Sequence, residues 1–346
     1  MIVDFKSDNI VGVHPQIMEA IVSANVGIEA SYGNDYYSLQ LKQKLAEIFE
    51  TEVSFFLTNT GTAANGLALS GLTPAYGAIY SHTHAHVNTD ECGAPELFTS
   101  GAKIIPIQGI NCKIDSEYLQ QHIEAAYSMR PHAIKPSCIS VSQATEGGTI
   151  YKLDELRKIA DIAKKYELPI HMDGARFTNS LVTLGCSPAE ATWKSGIDVL
   201  SFGATKNGAM AAEAVIFFNQ KHTKDIDYKQ KRAGQLSSKM RFFSCQFLAY
   251  FENDLWLKNA AHANAAGAKL ASIFQKHQLK LEYPVEANEI FVRIPTKLAE
   301  YLYQNNGNFY EWEKQEDNKD GLYRFVTSCF TSGEQLNQLD VYLSRF

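Results

Sequence analysis

No apolar run in the 346 residues comes near the roughly 20 that a membrane-crossing helix requires, so a helical span is not expected. Positive charge is in short supply as well. The 32 lysines and arginines against 38 acids leave a net charge of −6 and a pI near 5.9, which excludes a general nucleic-acid binder. The six cysteines (Cys92, Cys112, Cys138, Cys186, Cys245, Cys329) form no CxxC pair and read as reduced thiols of a cytoplasmic protein. The first residues, Met1 to Asp8, include acids and no hydrophobic signal core, so secretion is not expected. Internal repeats, low-complexity tracts and Pro/Gly/Ser-rich linkers are missing too. What remains is 45% apolar and 20% charged residues, the balance of an ordinary globular protein large enough for two domains or one large α/β domain.

The chain opens with two helical patterns, His14 to Val26 behind Pro15 and Tyr37 to Phe49 with Leu39, Leu41, Leu45 and Ile48 on one face. Short apolar runs then alternate with helices. Strands are predicted at Val53–Thr58, Gly77–Ser81, Ala102–Pro106, Cys138–Ser142, Leu168–Met172, Asp198–Phe202 and Ala214–Phe218, with a clear helix over Leu153–Tyr166. This alternation predicts a mostly parallel sheet wrapped by helices. Beyond Ser244 the pattern changes to a long helix from Phe247 to His277, strands at Glu289–Ile294 and Leu322–Val326, and a closing helix through Leu336–Leu343. The expected division is a large domain over residues 1–245, N-terminal segment included, and a smaller α+β domain over 246–346.

Two segments carry most of the chemical information: Leu168-Pro-Ile-His-Met-Asp-Gly-Ala-Arg176 and Asp198-Val-Leu-Ser-Phe-Gly-Ala-Thr-Lys206. Each is an apolar run ending in a charge, and Asp173 and Lys206 stand 33 residues apart, one strand–helix–strand unit. Neighbouring parallel strands would deliver a carboxylate and an amine to one carboxyl edge, where ligands of open α/β sheets bind. Pyridoxal phosphate needs that pair, an amine to form the imine and a carboxylate to keep the ring nitrogen protonated. Asp173 also fits a plain Asp-Gly turn, with Arg176 its surface partner, and Lys206 fits a solvated strand exit. Small residues on both sides of Lys206 leave room for a bulky group on it. Thr58-Asn-Thr-Gly-Thr-Ala-Ala-Asn65 reads as a phosphate cradle at a helix N-terminus or as an ordinary Thr-capped turn. In Ser81-His-Thr-His-Ala-His86 the alternating His82, His84 and His86 would share a strand face, with Asp90 or Glu91 able to complete a metal site. That pattern keeps a metal-dependent hydrolase open as a rival reading.

Taken in order, these motifs resemble the threonine aldolase family of the β-eliminating lyases over nearly the whole length. The resemblance implies the aspartate-aminotransferase fold (fold type I of the pyridoxal-phosphate-dependent transferases), with a mostly parallel seven-stranded sheet and a smaller C-terminal α+β domain. It implies pyridoxal 5'-phosphate as cofactor, no metal, and retro-aldol cleavage of threonine or allo-threonine to glycine and an aldehyde. A β-eliminating lyase or a phenylserine aldolase is the nearest alternative. Asn59-Thr-Gly-Thr-Ala-Ala-Asn65 matches the family's phosphate loop, giving Gly61, Thr62 and Ala63, and His86 matches the histidine stacked on the pyridoxal ring. Asp173-Gly-Ala-Arg176 matches the segment that places an acid on the ring nitrogen and an arginine near the substrate carboxylate, and Lys206 matches the imine-forming lysine. Ser7 and Arg324 are similar to further substrate-binding residues, and Lys231, Arg232 and Arg241 lie in a segment resembling one that reaches a neighbouring subunit's cofactor. A homo-oligomer, dimer or tetramer, is therefore expected. Some relatives carry Thr-His-Asn-Gly where this chain has Thr145-Glu-Gly-Gly148. The group taking the β-hydroxyl proton is expected to be His86 first, with His132 and Glu146 behind it.

Overall fold

A computed structural model of the chain describes residues 3–313 and 320–346. After a two-residue strand β1 (Val3–Asp4), seven strands build the central sheet: β2 (Ser54–Thr58), β3 (Gly77–His82), β4 (Lys103–Ile107), β5 (Lys135–Ser142), β6 (Ile170–Gly174), β7 (Val199–Gly203) and β8 (Glu213–Phe217). These are the seven strands expected from the sequence, with ends displaced by at most three residues. Their order is β2-β8-β7-β6-β5-β3-β4. Only β8 runs against its neighbours, so the sheet is mostly parallel as expected. Strands β3, β6, β7 and β8 are buried along their whole length, which explains why they read as continuous apolar runs.

Helices cover both faces. The helix Gly61–Leu72 packs Leu67 and Leu69 against Ile79, Val199, Val215 and Phe217 on one side. On the other, Phe202 lies among the rings of Phe177, Phe247, Phe251 and Trp256, with centroids 5.8–6.1 Å away. The long helix expected from Phe247 to His277 is instead two helices, Arg241–Phe251 and Leu255–Lys276. The chain breaks between them because Asn253 and Asp254 adopt left-handed φ angles of 51° and 56°.

A second layer contains β9 (Lys280–Leu281), β10 (Glu289–Pro295), β11 (Gly307–Asn308), β12 (Tyr310–Glu313) and β13 (Asp320–Val326). Four of these form an antiparallel sheet in the order β12-β13-β10-β9. Its separate core joins Leu270, Ile273 and Phe274 to Ile290, Val292, Phe325 and Leu339. A division at 245/246 cuts through the helix Arg241–Phe251, whose Phe247, Tyr250 and Phe251 belong to the main core. The N-terminal residues Val3 and Phe5, expected in the large domain, are buried in the second core instead. β1 pairs in parallel with β11, and the Val326 N–H donates to the Phe5 carbonyl at 2.7 Å. That anchorage brings the residues that follow Phe5 to the central sheet's carboxyl edge.

Candidate active site

At the carboxyl edge, β6 ends in Asp173 and β7 runs out through Gly203 to Lys206. The two strands are adjacent and parallel, with Asp173 opposite Ser201. Between them and the helix Gly61–Leu72 lies a cavity of about 290 Å³. Among the residues expected to do chemistry, Gly61, Thr62, His86, Glu146, Asp173, Arg176 and Lys206 line it. Among the described residues, the Lys206 amine makes no hydrogen bond or ion pair, so it stands free in the cavity.

The first turn of the helix Gly61–Leu72 faces this space. Thr60 caps it, its Oγ1 accepting the Ala63 N–H at 3.1 Å. Ala63 is thereby taken, whereas the N–H groups of Gly61 and Thr62 have no carbonyl one turn back to bond. Together with the positive end of the helix dipole they make an anion site. Asn65, one turn further along, donates at 2.8 Å to both Asp173 Oδ2 and Glu91 Oε1. Glu91 Oε1 also accepts the His86 Nδ1–H at 2.8 Å, which fixes the imidazole. That bond pushes the His86 pKa up against the opposing effect of burial, with Asp173 adding to the rise. Burial alone would raise the Asp173 pKa, but the positive charges of His86 and Lys206, with the Ala175 N–H, outweigh it and hold this carboxyl low. His171 sits on the same face of β6, bonded through both nitrogens to the hydroxyls of Ser140 and Ser201 at 2.9 Å. Its burial pushes the pKa down to about 4, so the ring is neutral.

Two further buried carboxyls face the cavity. Glu146 sits on the turn after β5, where Gly147 and Gly148 are needed for space. A Cβ on Gly147 would lie 2.9 Å from Cys112 Sγ, and one on Gly148, at φ +72°, 2.7 Å from the Glu289 carbonyl. Glu146 Oε1 accepts from the Ser142 hydroxyl at 2.6 Å and the His86 backbone N–H at 2.8 Å, while the buried Oε2 has no partner among the described residues. Burial pushes its pKa up to about 7. Glu213 opens β8 next to Thr205 and Lys206, and burial raises it to about 7 as well. A carboxyl raised in the folded state binds its proton more tightly there than in the unfolded chain. Its stabilising contribution is therefore full below the ordinary value near 4.5 and lost as pH rises through about 7. The variant Glu213→Gln cannot ionise. Relative to wild type it is expected to gain up to about 3 kcal/mol between pH 4.5 and pH 8, read from urea midpoints across that range. Parallel stability curves for the two proteins would refute this.

Other expected site residues are elsewhere. His132 is exposed on the loop before β5. Its strand enters the sheet there and reaches the cavity only at Ser142, about 25 Å further on. Within one chain His132 therefore does not reach the cavity. The rival histidine cluster does not form either, because β3 stops at His82 and the alternation of a strand is lost. His82 turns to the Gly109 carbonyl, 3.4 Å away, while His86 begins a helix at the cavity. Among the described residues the one group with metal-ligand spacing is His86, Glu91 and Asp173, and its atoms already bond one another and Asn65. Arg176 lines the cavity, but Asp8 takes its Nε and Nη2 at 2.8 and 3.0 Å, and Glu289 lies 3.1 Å from Nη1. Arg324 is held back from the lining, 3.9 Å from Glu289 and about 5 Å from the ring centres of Tyr310 and Trp312. The Ser7 hydroxyl accepts the Asn9 N–H, and it is Asn9 that reaches the cavity. Lys231 packs on Tyr32 and Arg241 on Phe242, so neither lines the cavity within one chain. Asn65, Glu213, Asp8 and Glu289 were not singled out from the sequence. Glu213 and Asn65 carry one signal, a polar residue set in an apolar or small-residue run, as with Glu213 before Ala-Val-Ile-Phe217, whereas Asp8 lies in the polar run Lys6-Ser-Asp-Asn9 and carries none.

Fold and cavity together define a class: a doubly covered α/β chain presenting a free lysine, a buried acid and an anion-binding helix end at one sheet edge. Comparison with known proteins narrows it. The pattern of the β-eliminating lyase family matches residues 4–297, and the chain belongs to that family. It is 42% identical over 336 residues to the low specificity L-threonine aldolase of Pseudomonas sp. (strain NCIMB 10558), covering 97% of this chain and 95% of that one. The Pseudomonas aeruginosa protein of the same name is 40% identical over the same length, again covering 97% and 95%. A Leishmania major threonine aldolase superposes with a TM-score of 0.93 at 25% identity, covering 99% of this chain and 98% of that one.

Proposed function

We propose that the chain is a pyridoxal-phosphate-dependent aldolase that cleaves L-threonine, L-allo-threonine and related β-hydroxy-α-amino acids to glycine and an aldehyde. The observation that carries this reading is the free Lys206 amine sharing one cavity with the buried Asp173 carboxylate. The 40–42% identity to low specificity L-threonine aldolases supports the choice of substrate. The cofactor fits the residues present. The N–H groups of Gly61 and Thr62 suit its phosphate, Asp173 suits a protonated ring nitrogen, and the half-buried His86 imidazole can lie along the ring.

When bound, pyridoxal phosphate supplies the electron sink for breaking a bond to Cα. The protein's own residues do the rest. Lys206 would hold the cofactor through its unpartnered amine. Asp173 keeps the positive charge on the ring side of the cavity before reaction begins, so no reorganisation is needed during bond cleavage. Arg176, locked in place by Asp8 and Glu289, provides the positive potential for the substrate carboxylate, with Arg324 behind it. Orientation of that carboxylate selects which Cα bond lines up for cleavage. The exposed apolar residues Val22, Val26, Ile28, Tyr36 and Leu39 lie close in sequence to the Lys231–Tyr32 contact and support a homo-oligomer. The test is product analysis. Cofactor-loaded protein given L-threonine or L-allo-threonine is expected to release glycine and acetaldehyde in equal amounts. Ammonia and a keto acid in their place would overturn the reading.

A further inference from the structure

We propose that Glu146 takes the proton from the substrate's β-hydroxyl; the proposal rests on the aldolase reading above and names the group that completes it. A base for this step needs an unpartnered acceptor atom on a residue lining the cavity, a fixed position, and a proton affinity suited to neutral pH. Glu146 has all three. Glu146 lines the cavity together with Lys206, and its buried Oε2 has no partner among the described residues. Its Oε1 is held by the Ser142 hydroxyl and the His86 N–H, so the carboxylate cannot swing away. The turn that carries it is tied down as well. Gln143 exchanges two hydrogen bonds with the Tyr151 backbone, and the Thr149 hydroxyl donates to the Asn111 carbonyl. Asp173, His86, Cys112 and Tyr151 are the titratable groups around it, and burial sets its proton affinity near neutrality.

His86 is less suited to the task. Its Nδ1–H is committed to Glu91, and the same bond favours the protonated imidazolium, which donates rather than accepts. Glu213 stands beside Thr205 and Lys206, its carboxyl bonded to Thr205. In the step assigned to Glu146, the β-hydroxyl proton passes to Oε2 and the O–H electron pair becomes the C=O bond of the aldehyde. The Cα–Cβ bond breaks with its pair left on the Cα side. Cα then takes one proton from solvent, which gives glycine, and Glu146 returns its proton to solvent, so the cycle is proton-neutral. No oxidant or further reactant enters.

The substitution Glu146→Gln keeps an acceptor for Ser142 and His86 but cannot take a proton. For threonine cleavage it is expected to lower kcat by about 10²–10⁴-fold with KM held within about threefold. Exchange of the glycine α-proton with deuterium oxide, which involves no β-hydroxyl, is expected to persist within about threefold. A second readout uses no turnover at all. The cofactor-free protein should show a protonated-carboxyl infrared band that titrates near neutral pH and disappears in the Gln variant. Threonine cleavage at the wild-type rate, or equal loss of cleavage and exchange, would overturn the assignment. Should the Gln variant not fold, Glu146→Asp decides, with at least about a tenfold fall in cleavage expected and an unchanged rate overturning the proposal. Failure of the aldolase reading itself is seen in the wild type alone, as an absence of acetaldehyde.

Discussion

Replacing Lys206 by alanine is expected to remove turnover almost completely, by about 10⁴-fold or more, while leaving the fold intact. The two halves of this expectation have separate structural grounds. Lys206 makes no hydrogen bond or ion pair among the described residues, so its loss breaks no bond, and its charge on the nearby Asp8 and Asp173 carboxyls is backed there by Arg176 and His86. The turn that carries it is held by its neighbours. The Asn207 side chain donates to the Tyr250 hydroxyl at 2.6 Å and the Trp256 carbonyl at 2.9 Å, and Asn259 donates to the Asn207 carbonyl at 2.9 Å. Gly208 follows at φ +112°, where a Cβ would lie 3.0 Å from Asn259 Nδ2. The stability change on substitution should therefore stay under about 1 kcal/mol. Borohydride treatment of loaded wild type should leave the cofactor covalently attached by mass, whereas the alanine variant should lose it on denaturation. A variant that retains more than about a hundredth of wild-type turnover would remove Lys206 from the chemistry.

Why Lys206 and Asp173 were visible in the sequence is a matter of sheet geometry. Each ends a short, fully buried strand, and a charge directly after such a run has nowhere to go but the strand's carboxyl edge. The strands themselves are legible for the same reason, since burial on both faces leaves them as unbroken apolar runs. Reversal of β8 was not legible, because strand direction leaves no mark on composition. Nor was the break at Asn253 and Asp254, where no glycine or proline signals a left-handed turn. His132 misled for a related cause. It is ten residues before Ser142 in the chain, yet an extended strand turns that short separation into the full height of the sheet.

The polar network was legible only in part, because its members meet across the fold rather than along the chain. Asn65 bonds Asp173 from 108 residues away, Asp8 bonds Arg176 across 168, and Asn288 bonds Asp8 across 280. Arg176 shows what this changes. Its motif implies an arginine free to clamp a substrate carboxylate, but the structure surrounds it with Asp8 and Glu289. The two carboxylates fix the guanidinium and temper its charge at the same time. Breaking a buried pair of this kind by removing one partner strands the other, which makes Asp8 a structural support of the cavity rather than a spectator.

Substitution of Asp173 by asparagine is expected to be the next most damaging change, and its effects should spread in a defined pattern. Asparagine keeps the size, and its single oxygen can still accept the Ala175 N–H, bonded to Oδ1 at 3.0 Å in the wild type, while the 2.8 Å bond that Oδ2 accepts from Asn65 is given up. What disappears is a buried negative charge that His86 and Lys206 hold in its ionised form against the cost of burial. Without it, the ring nitrogen of the cofactor loses a charge-assisted partner, and cofactor affinity should fall by about 1.5–3 kcal/mol, or roughly 10–100-fold. Turnover at saturating cofactor should fall a further 10²–10³-fold or so, the usual scale for removing one preorganised electrostatic contact. Asp173 also raises the His86 pKa, so the imidazole should titrate at lower pH in the variant, visible by proton NMR on cofactor-free protein. Glu91, which the same charge pushes upward, should shift down as well. An Asn variant with wild-type turnover and an unshifted His86 would mean that Asp173 merely closes the turn after β6. A lowered His86 pKa together with a collapse in turnover ties the acid to the ring, because a turn-closing role depends on shape and asparagine keeps the shape.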